Sequence, residues 1–316
     1  MNFHAARSII PPVLPALLTT ILWSLSVVCA TRSTRILGGP EANFWRLAIA
    51  TALLGAWAYL FGQGTSGASF PIFLFSGIIG VGADVFLFEA LPRIGSRLSI
   101  LIIQCGSALF APFVEWLWLG TRLTGVQIAC CLTVLAGVAI SLAPGKHLTV
   151  ARSTLAAGIA FSVLAAMGNG MGAVLTRKGY EVARDAHQSI GDATSAFQRL
   201  IGGLFVAAIF LLVVRRRKII RQEKGPRLPS LLAKDKWRLA WPWVVANALA
   251  GQTFGVTCYQ WALHTTPTGL VLAVVATTPI AVIPFAYFFE GERPQLRSVI
   301  GGAIAVVGVV FLVANR

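Results

Sequence analysis

Apolar stretches of about 20 residues, the length that a helix needs to cross the hydrocarbon core of a bilayer, recur along almost the whole of this chain. Only 12% of its 316 residues are charged, about half the share of charged residues that is typical of soluble domains. The stretches are continuously apolar, which favours helices over β-barrel strands, where apolar and polar residues alternate. The sequence therefore predicts an all-α integral membrane protein with ten transmembrane helices, at 12–31, 42–61, 70–91, 96–118, 124–142, 154–176, 193–214, 240–262, 267–289 and 298–314.

A short motif, Phe-x-Arg-Leu, opens both the second and the seventh predicted span. The two copies are "ANFWRLAIATALL" and "SAFQRLIGGLFVA", which place Arg46 and Arg199 at equivalent positions. Further matches follow in the same order along the chain: Thr31–Arg32 with Thr176–Arg177, Pro71 with Pro242, Pro112-Phe113 with Pro284-Phe285, and Gly137 with Gly308. The chain therefore divides into two halves of five spans each, at about 12–143 and 154–314.

Five is an odd number, so consecutive copies of a five-span unit enter the membrane with opposite orientations. Inverted repeats of this kind are typical of secondary transporters, in which the substrate site lies near the membrane midplane, between the repeats. The sequence thus predicts two inverted five-helix repeats with a binding site between them.

With these features the chain resembles the ten-helix members of the drug/metabolite transporter superfamily, which carry two EamA domains. The resemblance rests on the arginine near the start of the second helix of each half, on the proline-containing fourth helices ("SALFAPFVEWLWLG" and "TTPIAVIPFAYFFEGER") and on the glycine-rich last helix ("GGAIAVVGVVFLV"). The Leu-Gly-Glu ending of the family's fourth helix survives in one form as Glu290-Gly291-Glu292, whereas the first half has Leu119-Gly120-Thr121. The resemblance implies two EamA domains, at 12–143 and 154–314. It also implies a carrier of small metabolites, often an exporter, that holds no cofactor and is not an enzyme.

Polar groups inside lipid are costly, so each of them is a functional candidate. Asp84 lies closer to the middle of the third span than to its exit. A carboxyl group there can exchange a proton for a substrate or attract a cationic group; the alternative is a structural ion pair with Arg93 or Arg97. Glu115 is predicted to lie near the membrane surface, because the neighbouring Trp116 and Trp118 are typical of an interfacial aromatic belt.

Neutral polar and aromatic side chains at matching depths of other spans complete the predicted site. Their amide, hydroxyl and ring groups suit a polar organic molecule with a flat or apolar part rather than a hard cation, and they are Trp23, Gln104, Asn169, Gln252, Tyr259, Gln260 and Thr277.

Arg46 and Arg199 each lie about one turn inside a span, where a long side chain can reach the membrane surface. One interpretation is an interfacial anchor for carbonyl groups or lipid phosphate. The other is a gating cation that pairs with an acid or a helix C-terminus in one state and releases it in the other. Inversion of the repeats predicts that the two arginines lie towards opposite faces of the membrane.

The net charge of +15 comes largely from one loop, which holds ten cations between Arg215 and Arg238. A basic loop beside the membrane is typical of a topology signal and a contact for anionic lipid, not of nucleic-acid binding. The five cysteines all fall inside predicted spans, and no His/Cys spacing indicates a metal site.

The orientation of the chain is open at the level of sequence. Alternating loops place eighteen cations on one side and six on the other, with both termini on the side of the six. The positive-inside rule then puts the termini outside the cell, whereas the family resemblance implies termini in the cytoplasm.

These features together predict a multi-pass protein of the cell membrane (plasma or inner) that exports a small polar or amphipathic metabolite such as an amino acid, with proton coupling through Asp84. The alternative within transport is a translocator of lipid or lipid-linked sugar. A membrane enzyme is disfavoured because the four histidines lie in loops or near span ends, with no carboxylate at ligand spacing. The sequence leaves a monomer and a homodimer equally open.

Overall fold

The computed structural model describes residues 13–142, 152–222, 233–290 and 296–314, and within these ranges the chain is helical apart from short connections. No β-strand occurs in them. The helices are α1 Leu14–Leu37, α2 Gly39–Phe61, α3 Phe70–Gly80, α4 Asp84–Leu119, α5 Gly125–Leu142, α6 Arg152–Asp185, α7 Asp192–Gln222, α8 Ala233–Asn247, α9 Val256–Thr265, α10 Thr268–Val275, α11 Thr278–Glu290 and α12 Leu296–Ala314, with a π-helical segment, Ala248–Gly255, between α8 and α9.

Seven segments of the described residues are long and apolar enough to cross a membrane: Leu14–Leu37, Gly39–Phe61, Phe70–Leu87, Ser99–Leu119, Arg152–Asp185, Asp192–Arg217 and Thr268–Phe285. Gly125–Ser141 and Val299–Leu312 are shorter apolar helices. The predicted eighth span is divided by the π-helical segment, so no single α-helix covers it. The all-α membrane fold is therefore confirmed, while the count of ten spans stays a prediction.

The third predicted span begins in α3, and its end lies together with the whole fourth span in one helix, α4, of 36 residues. A straight helix of that length would measure about 54 Å, far more than the bilayer core of about 30 Å. Yet Gly168 of α6 packs against Ala83 just before α4, and Gly170 packs against Ser107 far along it. Gly158, three turns earlier in α6, packs against Ile94. The chain therefore reverses around residues 88–98. The segments before and after this reversal, Phe70–Leu87 and Ser99–Leu119, lie beside α6 as two spans.

The equivalent helices α2 and α7 pack against each other with opposite directions. Gly62 at the end of α2 leaves no room for a side chain beside Thr194 at the start of α7. At the other end, Arg215 forms an ion pair of 2.9 Å with Glu41. This pairing requires the two helices to be antiparallel.

The sequence repeat relates these two contacts to each other, so that each is the image of the other. In the Phe-x-Arg-Leu alignment, Gly62 corresponds to Arg215 and Thr194 corresponds to Glu41. A contact and its image coexist when two copies are related by a two-fold axis. The first and second repeats are therefore inverted with respect to each other at this interface.

Helices α5 and α12, the last of each repeat, meet in the same reciprocal way. A Cβ atom on Gly137 would lie 2.5 Å from the backbone nitrogen of Ala305, and one on Gly308 would lie 2.9 Å from the nitrogen of Val134. Because Gly137 and Gly308 are equivalent in the sequence repeat, these contacts also form an image pair. The small residues let the two backbones approach closely, as is typical of helix packing in lipid.

The chain directions of the helices define two sides of the bundle, here called the basic side and the terminal side. The basic side holds Leu37, the turn of α4, and Arg215–Arg217 at the end of α7. The terminal side holds Leu14 and Ala314, together with the ends of α2, α6 and α9. Arg46 lies nearer the basic side and Arg199 nearer the terminal side, as inversion of the repeats predicts.

Replacing Gly137 by alanine should destabilise the protein by about 1–3 kcal/mol, the usual cost of forcing a methyl group into a packed interface. Thermal unfolding of the purified protein in detergent measures the loss. The matched control is Gly125→Ala at the start of the same helix, where a Cβ atom would meet nothing within 4 Å. Equal unfolding temperatures for the two variants would contradict the close α5–α12 contact.

Candidate functional site

A cavity of about 280 Å³ lies between the two repeats. Both repeats contribute to its wall, through α1 to α4 from the first and through α6, α7, α9 to α11 and the π-helical segment from the second. Eight of the ten candidate residues line it: Trp23, Arg46, Asp84, Gln104, Asn169, Arg199, Gln252 and Tyr259.

The other two candidates lie beside the cavity. Gln260 is fully buried behind the wall, with its Oε1 atom 3.5 Å from Arg199 Nη1. The hydroxyl group of Thr277 donates to the carbonyl of Val274 at 2.6 Å. Its neighbour Thr278 lines the cavity instead.

Asp84 and Arg46 form an ion pair in the wall on the basic side. The distance from Arg46 Nη2 to Asp84 Oδ2 is 3.5 Å, and Arg46 Nε donates to Asn43 Oδ1 at 2.8 Å. The expected pairing of Asp84 with Arg93 is wrong, because the Arg93 guanidinium binds Glu89, one turn earlier on the same helix, at 2.7 Å. The side chain of the other expected partner, Arg97, lies outside the described residues.

Arg199 projects into the cavity from α7 and is only 7% exposed. Its Cζ atom lies 5.4 Å from the centre of the Tyr259 ring, and its Nε atom is buried without a hydrogen-bond partner. Among the described residues no carboxylate lies within ion-pair distance of it. Gly80 makes space for the guanidinium, since a Cβ atom there would lie 2.7 Å from Arg199 Nη2.

Two aromatic rings form an apolar wall. Trp23 and Tyr259 lie with ring centres 5.2 Å apart at an interplanar angle of 39°. The indole N–H of Trp23 donates to the carbonyl of Gly251 at 3.0 Å. Gly251 belongs to the π-helical segment, and such segments occur frequently at functional sites. The altered helix thus fixes the position of the tryptophan ring.

The terminal side of the cavity is closed by an ion pair between Glu115 and Arg177, 2.7 Å apart. Glu115 is 1% exposed and also accepts the backbone N–H of Thr268 at 2.8 Å. Arg177 donates to the backbone carbonyls of Leu263 and Thr266. This set of contacts, here called the clasp, joins α4 of the first repeat to α6, α9 and α10 of the second.

Glu115 lies one turn before the end of α4, so its predicted depth near the membrane surface stays a prediction, but its side chain is buried inside the bundle. Trp116 and Trp118 are about half exposed, but Glu115 points to the opposite face of α4. It continues a buried stripe with Ala108 and Ala111, which are 4% and 0% exposed. Positions 108, 111 and 115 follow the i, i+3, i+7 spacing of one helix face. In the sequence, this spacing was the signal that could have indicated a buried acid.

A second layer of contacts lies beyond the clasp on the terminal side. His264 Nδ1 lies 2.9 Å from Asp192 Oδ1, and the His264 ring stacks on Tyr180 with ring centres 4.1 Å apart. The Tyr180 hydroxyl lies 2.5 Å from Ser195 Oγ. These polar contacts again join α6, α7 and α9.

The cavity is more accessible from the basic side. The side chain of Asp84, near that side, is 24% exposed, whereas Arg199, near the clasp, is 7% exposed. Val27, Leu87 and Ile100 extend the wall towards the basic side.

Comparisons with known proteins found a similar solved structure and a matching family. A crystal structure named only "Crystal structure of protein" has a TM-score of 0.69 and 18% sequence identity, over 95% of this chain and 95% of that chain. At that identity the likeness is one of fold. No curated protein matches the chain. The model of the EamA-like transporter family matches residues 10–143 and 156–314, one segment in each half. Since the two matches together cover nearly the whole length, the chain belongs to the EamA-like transporter family.

Proposed function

We propose that the protein is a secondary transporter, in the export direction, for a small polar or amphipathic metabolite such as an amino acid. The observation that carries this proposal is the cavity between the repeats, which is lined by polar groups from both. Substrate sites of inverted-repeat transporters lie at such an interface, and small-molecule sites begin at about 300 Å³. Family membership supports membrane transport in general, and the cavity supports the narrower proposal.

Transport requires that the cavity reach the two sides in turn. In the proposed cycle the clasp breaks and the terminal side opens, while the basic side closes around α1, α2 and α8. Arg32, the sequence equivalent of Arg177, already lies 4.6 Å from the ring of Trp243 on the basic side. The second repeat has Tyr287 at the position equivalent to Glu115, so we expect Arg32 to close the basic side through a different set of contacts. By the charge count of the loops, the basic side is cytoplasmic, so the state described is ready to load a substrate for export.

Asp84 is proposed to couple transport to protons. Its carboxylate is held by Arg46 at 3.5 Å, longer than a tight ion pair, and it remains in contact with the cavity. Protonation would release Arg46 and change the charge of the site during the cycle.

The alternative of a lipid translocator needs a lateral path from the cavity into the membrane. An apolar groove of about 510 Å³ does lie between α4 and α5. It shares no lining residue with the central cavity. The geometry of the described residues therefore favours the metabolite transporter.

Replacing Asp84 by asparagine should abolish transport driven by a pH gradient, because the amide cannot exchange a proton. Uptake of a radiolabelled amino-acid mixture into proteoliposomes, with and without the gradient, measures the effect. Asp185→Asn, an exposed acid at the end of α6, is the matched control and should transport normally. Unchanged gradient-dependent uptake by the Asp84 variant would refute the coupling role.

Replacing Glu115 by glutamine should cost about 3 kcal/mol of stability, because Arg177 then stays partly buried without its counter-charge. Thermal unfolding in detergent measures it. The control Glu181→Gln removes an ion pair with Lys178 in which the Glu181 side chain is 42% exposed; exposed pairs are worth at most about 1 kcal/mol. A loss at Glu115 no greater than that at Glu181 would contradict the clasp.

A further inference from the structure

The ionisable side chains that line the cavity do not balance in charge. They are Arg46, Arg199 and Asp84. Asp84 lies within ion-pair distance of Arg46, so these two neutralise each other. Among the lining residues that the structure describes, two arginines therefore face one aspartate, which leaves one excess positive charge at the cavity.

Arg199 lies at the cavity without a counter-charge among the described residues, as expected of a cation that binds a ligand. A buried cation is strongly destabilising unless it is paired and hydrogen-bonded. The polar contacts of Arg199 with other described side chains are both with neutral groups: Gln260 Oε1, at the outer limit of a hydrogen bond, 3.5 Å, and the Tyr259 hydroxyl. The Nε atom of Arg199 and the amide nitrogen of Gln260 are both buried with no acceptor. Arg199 lines the cavity, so a ligand there can supply the counter-charge that the described residues do not.

An aromatic surface lies directly beside the excess charge. The Tyr259 ring contacts Arg199 on one side and Trp23 on the other. Trp23 and Tyr259 both line the cavity. A ligand whose anionic group binds Arg199 would therefore place its remaining atoms against two rings.

We propose that the substrates of this cavity are small organic anions, in which one carboxylate or phosphate group binds Arg199 and a flat or apolar part lies against Trp23 and Tyr259. A guanidinium binds either group through paired N–H donors. The proposal rests on the proposed transport function and narrows its substrate class. An amino acid would meet this requirement through its carboxylate, and its ammonium group would compete with Arg46 for Asp84.

The test uses the full-length wild-type protein in detergent, since a ligand that binds only the folded state raises the unfolding temperature. The probes share one phenyl group and differ in charge: 3-phenylpropanoate, benzyl phosphate, phenylalanine, 3-phenylpropanamide and phenethylamine. At least one of the two anions should raise the unfolding temperature, with apparent affinity at least tenfold above that for the amide and the amine. A response to the carboxylate alone, or to the phosphate alone, supports the proposal and identifies the anionic group. Equal or stronger responses to the amide or the amine, or responses to none of the probes, would overturn it.

Substitution of Arg199 locates the effect. Arg199→Gln should weaken binding of the anionic probe at least tenfold, whereas Arg199→Lys, which keeps the charge but loses the planar fork, should retain part of it. Arg122→Gln removes an exposed cation outside the cavity and should bind as the wild type does. The wild-type series decides the question even if Arg199→Gln fails to fold. Transport is measured separately in proteoliposomes. Binding of anions without flux would contradict the proposed transport function but support the anion site. Flux of neutral or cationic probes alone would support transport but contradict the anion site.

Discussion

The ion pair between Glu115 and Arg177 joins the two repeats on the terminal side of the bundle. Two charges buried in a membrane protein are tolerated only when their remaining hydrogen-bonding groups are also satisfied. Here the N–H of Thr268 binds the carboxylate, and two carbonyls at the end of α9 bind the guanidinium. The clasp therefore fixes backbone as well as side chains, and it joins both repeats at one level of the bundle.

The inverted repeat explains why such a closure can be reversible. The contacts of α2 with α7 and of α5 with α12 occur as image pairs, so each side of the bundle is built from equivalent parts. A protein with two equivalent sides has two similar closed arrangements available. When their free energies differ by only a few kcal/mol, a ligand or a proton is enough to shift the population between them.

Sequence reasoning succeeded where a pattern extends over many residues. The apolar stretches predicted the membrane fold, and the repeated Phe-x-Arg-Leu motif predicted the inversion that places Arg46 and Arg199 towards opposite sides. Most of the polar side chains of the cavity wall were also predictable, because each polar side chain inside an apolar span is costly enough to stand out.

Pairings between distant segments were not predictable in the same way. Asp84 was assigned to Arg93 by proximity along the chain, but α2 brings Arg46 to it instead. Glu115 was assigned to the surface from its tryptophan neighbours, although adjacent residues of a helix point to different faces. The reversal within α4 and the π-helical segment depend on packing against α6 and α1, of which local sequence carries little sign.

The most direct test of alternating access is the accessibility of one cavity residue from each side. All five native cysteines are replaced by alanine, Gln104→Cys is introduced, and a membrane-impermeant thiol reagent is applied to vesicles from one side at a time. An Arg216→Cys variant reports which side is the basic one. With the clasp intact, the cysteine at 104 should react from the basic side only; adding Glu115→Gln should make it react from the terminal side as well. Reaction from the terminal side with the clasp intact, or no change when the clasp is removed, would contradict the account.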